Sequence, residues 1–188
     1  MTKLIQKGNA KLHNCYMFNL PATKAVCGRI CKGCYAVGEQ KRYPTVLPAR
    51  ESRYTESLKD DFVSKLHSEL KALRLRPKYF RIHASGEFYS QSYVDRWTAI
   101  VKTNPDIMFY AYTKRMTHFD FAELQKQPNM VLIDSFHYGR LNYGAISEAP
   151  TGAFICPSHD KTVKCGETCT YCMTKGSADV TGVFFRKH

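Results

Sequence analysis

Apolar positions in the middle of the chain repeat one plan three times. Each copy has apolar residues at helical spacing, then a proline turn, then a short and nearly continuous apolar run. In the first copy Phe62, Leu66 and Leu70 share a helical face, and Pro77 precedes the run YFRIHA. The next two copies end in IMFYAYT at 107–113 and MVLIDSF at 130–136. The helical period predicts helices, and the short apolar runs predict strands that are covered on both faces.

Three more apolar runs extend this alternation to both ends of the chain. They are NCYMFNL at 14–20, GAFIC at 152–156 and VTGVFF at 180–185. Strands that alternate with helices indicate an α/β fold with a parallel sheet. A complete eight-fold barrel needs roughly 250 residues, and this chain has 188. The sequence therefore predicts a single domain over residues 1–188, built as a partial (βα)6-type barrel, with a doubly wound sheet as the alternative.

Polar side chains follow the predicted strands at the points where the strands end. Because the carboxyl ends of parallel strands meet on one face, we expect these side chains to converge there as a ligand site. His83, inside its strand, is predicted to be a hydrogen-bonded core histidine. Glu87 could accept a hydrogen bond from a ligand amine or cap the next helix. The polar residues at the strand ends are Ser85, Gly86, Glu87, Lys114, Asp134, Ser135 and His137.

The chain has eight cysteines, and the expected compartment decides how they are interpreted. The first 14 residues have no apolar leader, and no apolar run approaches the roughly 18 residues of a membrane span. These features predict a cytoplasmic protein without a membrane partner. In a reducing cytosol, cysteines at fixed spacings are more often metal ligands than disulfides.

Seven of the cysteines fall into two groups. The first is Cys27, Cys31 and Cys34, and the second repeats the Cys-x-x-x-Cys-x-x-Cys spacing with one extra cysteine upstream. These spacings let one loop wrap around a [4Fe–4S] cluster. Three thiolates leave one iron open to a ligand, whereas four saturate the cluster. A zinc site in the second group remains an alternative, and Cys15 is interpreted as a buried small hydrophobe. The second group is Cys156, Cys165, Cys169 and Cys172.

The order of these motifs resembles that of the radical S-adenosylmethionine (SAM) enzymes. In that family a partial βα barrel carries Cys-x-x-x-Cys-x-x-Cys after its first strand, and SAM chelates the open iron of the cluster. A Gly-Gly-Glu stretch after the second strand helps to bind the SAM amino group. The resemblance implies the first role for Cys27, Cys31 and Cys34 and the second for Ser85–Glu87. The C-terminal cysteines would then hold an auxiliary cluster.

The chain also resembles a group of small phage-encoded iron–sulfur proteins. The shared features are CKGCYA, HASGEFYSQSY, FYAYTK and the cysteine-rich C-terminal part. This resemblance runs from about residue 18 to residue 172 and implies a location in the host cytoplasm. It implies little about activity.

Three functional hypotheses follow from the sequence. The leading one is an iron–sulfur protein that resembles a minimal radical SAM enzyme, with one or two [4Fe–4S] clusters and SAM as a candidate ligand. The second is a non-catalytic iron–sulfur protein that exchanges electrons with a donor. The third is a basic zinc or iron–sulfur module that binds nucleic acid, because the formal net charge is +12 and basic proteins attract polyanions. A solvated lysine and arginine surface would explain the same charge.

Overall fold

The computed structural model describes residues 3–9, 11–12, 14–28, 31, 33–73, 77–134, 154–157, 162–174 and 183–184. All seven predicted cysteine ligands lie within these ranges. The predicted strand-end residues Ser135 and His137 lie outside the described residues.

Five strands form the main sheet, in the order β1-β2-β3-β4-β5. Strands β2 to β5 are parallel, and β1 pairs with β2 in the antiparallel direction. The strands are β1 (Gln6–Lys7), β2 (Cys15–Phe18), β3 (Tyr79–Ile82), β4 (Met108–Thr113) and β5 (Met130–Asp134). The α/β class and the parallel sheet predicted from the sequence are confirmed.

Helices occupy the connections between the parallel strands. Four of them lie between β2 and β3, one lies between β3 and β4, and one lies between β4 and β5. The N-terminus of α5 is capped, because the Ser90 side chain accepts a hydrogen bond from the backbone N–H of Tyr93. The helices are α1 (Lys24–Cys27), α2 (Tyr35–Arg42), α3 (Val46–Ser57), α4 (Phe62–Ala72), α5 (Gln91–Lys102) and α6 (Ala122–Gln125).

The two faces of the sheet have different coverings. Phe18, Phe80 and Phe109 point to the helical side, where they join a buried core with side chains of α4, α5 and α6, including Trp97. The opposite face carries a second buried cluster that includes Cys15, Tyr79, Tyr110, Val131 and Ile133. That cluster is completed by Met173 of a short 3-10 helix, Tyr171–Met173. The C-terminal cysteine-rich segment therefore packs on the face that the helices leave uncovered.

The predicted partial (βα)6-type barrel is not confirmed. In the described residues, the last two predicted strands correspond to β6 (Phe154–Ile155) and β7 (Val183–Phe184). These strands pair with each other in a separate parallel sheet. At the other end, the outer edge of β2 is occupied by β1, which the sequence pattern did not reveal. In the described strands the main sheet is thus open. Its parallel strands follow one another in chain order, as in a barrel segment, and the reversal of order that defines a doubly wound sheet is not seen among them.

Candidate metal and ligand site

The first cysteine motif lies at the carboxyl edge of the sheet, in the part of the chain that follows β2 and contains the first two helices. Cys27 is the last residue of α1, and Cys34 is the N-cap of α2. The backbone N–H of Cys34 donates to the carbonyl of Cys31 over 3.2 Å, which closes a turn. Gly28 and Gly33 both have positive φ, at 72° and 70°. Glycine adopts this conformation without steric cost, so the loop can turn tightly between its cysteines.

Two cations at the end of β4 lie against this cysteine loop. The ammonium Nζ of Lys114 is 3.3 Å from the Sγ of Cys31. The Arg115 guanidinium lies so close to Gly28 that a Cβ on that glycine would be 2.4 Å from Nη1. Positive charge at this distance would offset part of the net negative charge of a metal–thiolate cluster held by the loop.

The three thiols of the motif share one electrostatic neighbourhood. Burial, together with the charges of Glu87, Cys34 and Cys31, raises the pKa of Cys27 to about 12. A thiolate at Cys27 is therefore disfavoured, and it needs a cation close to its sulfur to stabilise it. Binding a metal supplies that cation and releases the protons.

The loop Ser85–Glu87 follows β3 and joins it to the end of β2. The Ser85 hydroxyl donates to the carbonyl of Leu20 over 2.9 Å, and the backbone N–H of Leu20 donates to the carbonyl of Ser85 over 2.9 Å. Gly86 has a φ of 90°, and a Cβ there would lie 2.4 Å from Cβ of Leu20. Glycine is therefore required at position 86 both by the backbone conformation and by the contact with Leu20.

Glu87 joins the same loop to the end of β4. Its carboxylate is 7% exposed. One oxygen accepts from the Thr113 hydroxyl over 2.7 Å and from the backbone N–H of Phe88 over 3.0 Å. The other accepts from the backbone N–H of Lys114 over 2.8 Å. Burial raises the pKa of Glu87 despite these hydrogen bonds. Glu87 thus links the loop after β3 to the end of β4 through hydrogen bonds within the protein.

The last predicted ligand residue, Asp134, ends β5 at the same edge. It is paired in register with Thr113, whose hydroxyl donates to Glu87. The carboxyl ends of β3, β4 and β5 therefore bring Glu87, Lys114 and Asp134 to one edge of the sheet, beside the first cysteine loop. His83 lies just before this edge, is 3% exposed, and pairs through Nε2 with the Tyr93 hydroxyl at 2.9 Å. The prediction of a hydrogen-bonded core histidine is confirmed.

The second cysteine group gathers on the uncovered face of the sheet. Burial raises the pKa of Cys172, a hydrogen bond with Tyr112 lowers it, and the charges of Cys156, Cys169 and Cys165 raise it, to a net value of about 12. The segment folds back on itself, because the backbone N–H of Gly166 donates a hydrogen bond to the carbonyl of Cys169 over 2.9 Å. The structure therefore places four thiols of the second group near one another.

The arrangement of the thiols is not that of a formed metal site. Among the described residues, no group of three or more His, Cys, Asp or Glu side chains is positioned to hold a metal ion. The donor set nevertheless fits one, because both groups consist of soft sulfur ligands that suit iron–sulfur clusters or zinc. Either metal would require the side chains of each group to draw together.

Sequence reasoning missed several residues that shape this edge. The amide oxygen of Asn19 accepts from the backbone N–H groups of Ala84 and Ser85 over 2.8 and 3.2 Å. The Tyr35 hydroxyl donates to the carbonyl of Ala84 and so fixes the start of α2 beside this loop. Arg115 packs on Gly28. Asn19 and Arg115 both lie at strand ends, and that position was the available signal.

Comparison with known families gives a match that covers most of the chain. The family model described as gene product 88 matches residues 2–149. The chain belongs to the gene product 88 family. The matched region contains the first cysteine motif and Ser85–Glu87, whereas the second cysteine group lies beyond it.

Two curated relatives carry the name of this family. The Gene 88 protein of Mycobacterium phage L5 is 31% identical over 122 residues, which is 61% of this chain and 51% of the relative. The Gene 88 protein of Mycobacterium phage D29 is 30% identical over 122 residues, with 61% and 50% covered. The chain thus spans about half the length of these relatives. The resemblance to phage-encoded proteins is confirmed. Neither match names a radical SAM or iron–sulfur family.

No solved structure significantly matches the chain. In the described residues, no helix is long and apolar enough to cross a membrane.

Proposed function

We propose that this chain is an iron–sulfur protein with a radical SAM-like site. Cys27, Cys31 and Cys34 would hold a [4Fe–4S] cluster with one open iron, and Cys156, Cys165, Cys169 and Cys172 would hold a second metal–thiolate centre. Such clusters would supply one-electron redox chemistry and, at the open iron, a position for SAM or another small ligand. A location in the host cytoplasm belongs to the same proposal.

The observation that carries this proposal is the shared edge of the first cysteine loop and the three neighbouring strand ends. The loop lies beside Lys114, whose ammonium is 3.3 Å from Cys31 Sγ. Ligand sites of parallel α/β folds form at this edge, because the loops after successive strands converge there. The cysteines of the loop would orient the cluster. Lys114 and Arg115 would offset its negative charge, and residues of the three strand ends would contact a bound ligand.

A second candidate function is a redox protein that does not use SAM. It is favoured by the hydrogen bonds of the loop that resembles the SAM amine site. The Ser85 hydroxyl is taken by the Leu20 carbonyl, and both Glu87 oxygens already accept hydrogen bonds from the protein. A SAM amino group would therefore have to compete for Glu87. Binding of nucleic acid stays a prediction based on net charge.

Electron paramagnetic resonance (EPR) of anaerobically purified, dithionite-reduced protein tests the proposal, together with iron and sulfide counts. A [4Fe–4S]+ signal that changes shape with SAM is expected for the radical SAM-like site. The variant Cys31→Ser should lose that signal, whereas Cys15→Ala serves as the matched control and should keep it. A cluster signal that is indifferent to SAM would favour the second candidate. Zinc without iron would contradict both.

A further inference from the structure

The middle of β3 carries a cation on the face that the C-terminal cysteines cover. Arg81 stands between the apolar residues Phe80 and Ile82, in the cross-sheet row Met17, Arg81, Tyr110 and Val131. Its neighbours on this face form the second buried cluster, with Tyr79, Tyr110 and Met173. An arginine at such a position is unusual, because burial of a charge is unfavourable unless the charge is paired.

Arg81 is half-buried, and the buried part of its guanidinium lacks a hydrogen-bond partner among the described residues. Its Nε–H is buried and has no hydrogen-bond partner in the described part of the chain. The guanidinium carbon lies 5.4 Å from the centre of the Tyr112 ring, a cation–π distance. The groups that favour its charge are Tyr110, Tyr35, Tyr112 and Cys15, and none of these is a carboxylate. Neutral phenol and thiol groups compensate a guanidinium only weakly.

The anionic group that would complete this environment lies on the segment packed above it. Cys165 and Cys172 of the second cysteine group pack against the buried cluster beside Arg81, and Cys15 belongs to that cluster. Tyr112, the ring beside Arg81, is hydrogen-bonded to Cys172. A tetrathiolate centre carries a net negative charge of about 2 with either zinc or a [4Fe–4S]2+ core. The unpaired cation and the missing anion therefore occupy the same face of the sheet.

We infer that Arg81 is the counter-charge of the C-terminal metal–thiolate centre, a positioning residue that binds no metal itself. It would donate its free Nε–H toward the sulfur atoms and stabilise the loaded form over the empty one. This inference rests on the proposed function only in requiring a metal at Cys156, Cys165, Cys169 and Cys172. It holds for zinc as well as for iron–sulfur.

The test compares the metal-free protein with the metal-bound protein. A counter-charge should stabilise the metal-bound form and should not stabilise the metal-free form. The full chain with Cys27→Ser, Cys31→Ser and Cys34→Ser leaves the second group to bind the Co2+ probe. Affinity is read from thiolate-to-cobalt absorption in competition with a chelator. Arg81→Met should weaken Co2+ binding about tenfold or more, as outer-shell substitutions commonly do. Arg81→Lys should recover most of that loss.

The same variants measured without metal separate a counter-charge from a structural residue. Arg81→Met should unfold at the same temperature as the parent or higher, because it replaces a half-buried cation that has no carboxylate partner in the described structure with an apolar side chain. Arg96→Met is the control, since Arg96 bonds carbonyls of Ser57 and Lys59 away from the cysteines. That variant should leave Co2+ affinity unchanged. In iron-loaded protein, Arg81→Met should shift the cluster potential to a more negative value.

Three outcomes would overturn the inference. Equal Co2+ affinity for Arg81→Met and its parent would remove the counter-charge role and leave the proposed function intact. A metal-free Arg81→Met protein that fails to fold, or melts lower than the parent, would make Arg81 a structural residue. A parent protein that binds no Co2+ at the second group would remove that centre from the proposed function, and the inference with it.

Discussion

Single residues at the strand ends combine unusual backbone geometry with close contacts. His83 is a non-glycine residue with a φ of 62°, directly before the loop Ser85–Glu87. Gly86 has a φ of 90° and packs against Leu20. Positive φ is unfavourable for most side chains and persists where the surrounding structure enforces it. At the residue scale, substitutions at these positions should therefore be destabilising.

Gly86→Ala should destabilise the protein by roughly 2–4 kcal/mol, from left-handed backbone strain and overlap with Leu20. Urea unfolding monitored through Trp97 fluorescence measures the loss. The matched control is Gly38→Ala in α2, where a Cβ meets nothing within 4 Å. That change should stabilise by roughly 0.5–1 kcal/mol, because alanine favours a helix over glycine. Similar effects for both variants would contradict the geometry of the loop.

His83 should make stability depend on pH. Burial, together with the charge of Arg81, lowers its pKa from an ordinary value of 6.5 to about 3. Between these values the unfolded chain takes up a proton that the folded protein does not. Stability should therefore fall as pH decreases below about 6.5, by up to about 1.4 kcal/mol per pH unit from this group.

The variant His83→Asn isolates this contribution, since asparagine tolerates positive φ and does not titrate. Denaturant unfolding at pH 7, 6, 5 and 4.5 should show a shallower dependence for His83→Asn than for the parent. Carboxylates contribute equally to both proteins, so the difference between the two curves is the quantity to compare. Parallel curves would mean that His83 has the same pKa in the folded and unfolded states and would contradict its burial as a neutral side chain.

At the scale of elements, the helix-and-strand alternation follows from periodicity and burial. The apolar face predicted for 62–70 is α4, and its residues Phe62, Leu66 and Leu70 are fully buried. The pattern of charged residues is a poor guide to burial in α3. A charged run such as 50–61 usually marks a solvated helical face, yet Arg53 of α3 is buried and donates to the carbonyl of Lys3 over 3.2 Å.

Glu87 should act as a connection between β3 and β4 even without a ligand. Glu87→Gln replaces one accepting oxygen with a donor that faces other donors, so it should destabilise the metal-free protein by roughly 1–3 kcal/mol. Chemical denaturation measures this value. Glu51→Gln, on an exposed position of α3, should change stability by less than about 0.5 kcal/mol. Unchanged stability of Glu87→Gln would instead favour a role limited to ligand binding.

At the scale of the whole molecule, metal at the second cysteine group should stabilise the attachment of the C-terminal segment to the sheet. A ligand that binds the folded state more tightly than the unfolded state raises the melting temperature. We expect loading with Zn2+ or iron and sulfide to raise it, and a chelator to reverse the rise. Differential scanning calorimetry measures the change.

Two cysteine variants assign that effect to its ligands. Cys172→Ser should abolish the rise in melting temperature and lower the metal content of the protein. Cys15→Ala should keep both, although Cys15 lies on the same face and its Sγ is 3.7 Å from the Tyr110 hydroxyl. Loss of metal in Cys15→Ala would add that residue to the ligand set and correct its interpretation as a buried small hydrophobe.

The sequence alone determined the features that depend on local spacing. Helical and strand periods predicted the parallel α/β class, because apolar periodicity reflects which side chains can be buried. Cysteine spacing defined the two groups, and the positions of Ser85–Glu87 and Lys114 predicted one shared edge. The tertiary structure decided what depends on distant partners. It showed that β1 occupies the outer edge of β2, that β6 pairs with β7, and that Glu87 ties strand ends. It also placed the Arg81 cation beneath the C-terminal cysteines, since only folding brings a residue of β3 against a segment some 80 positions later.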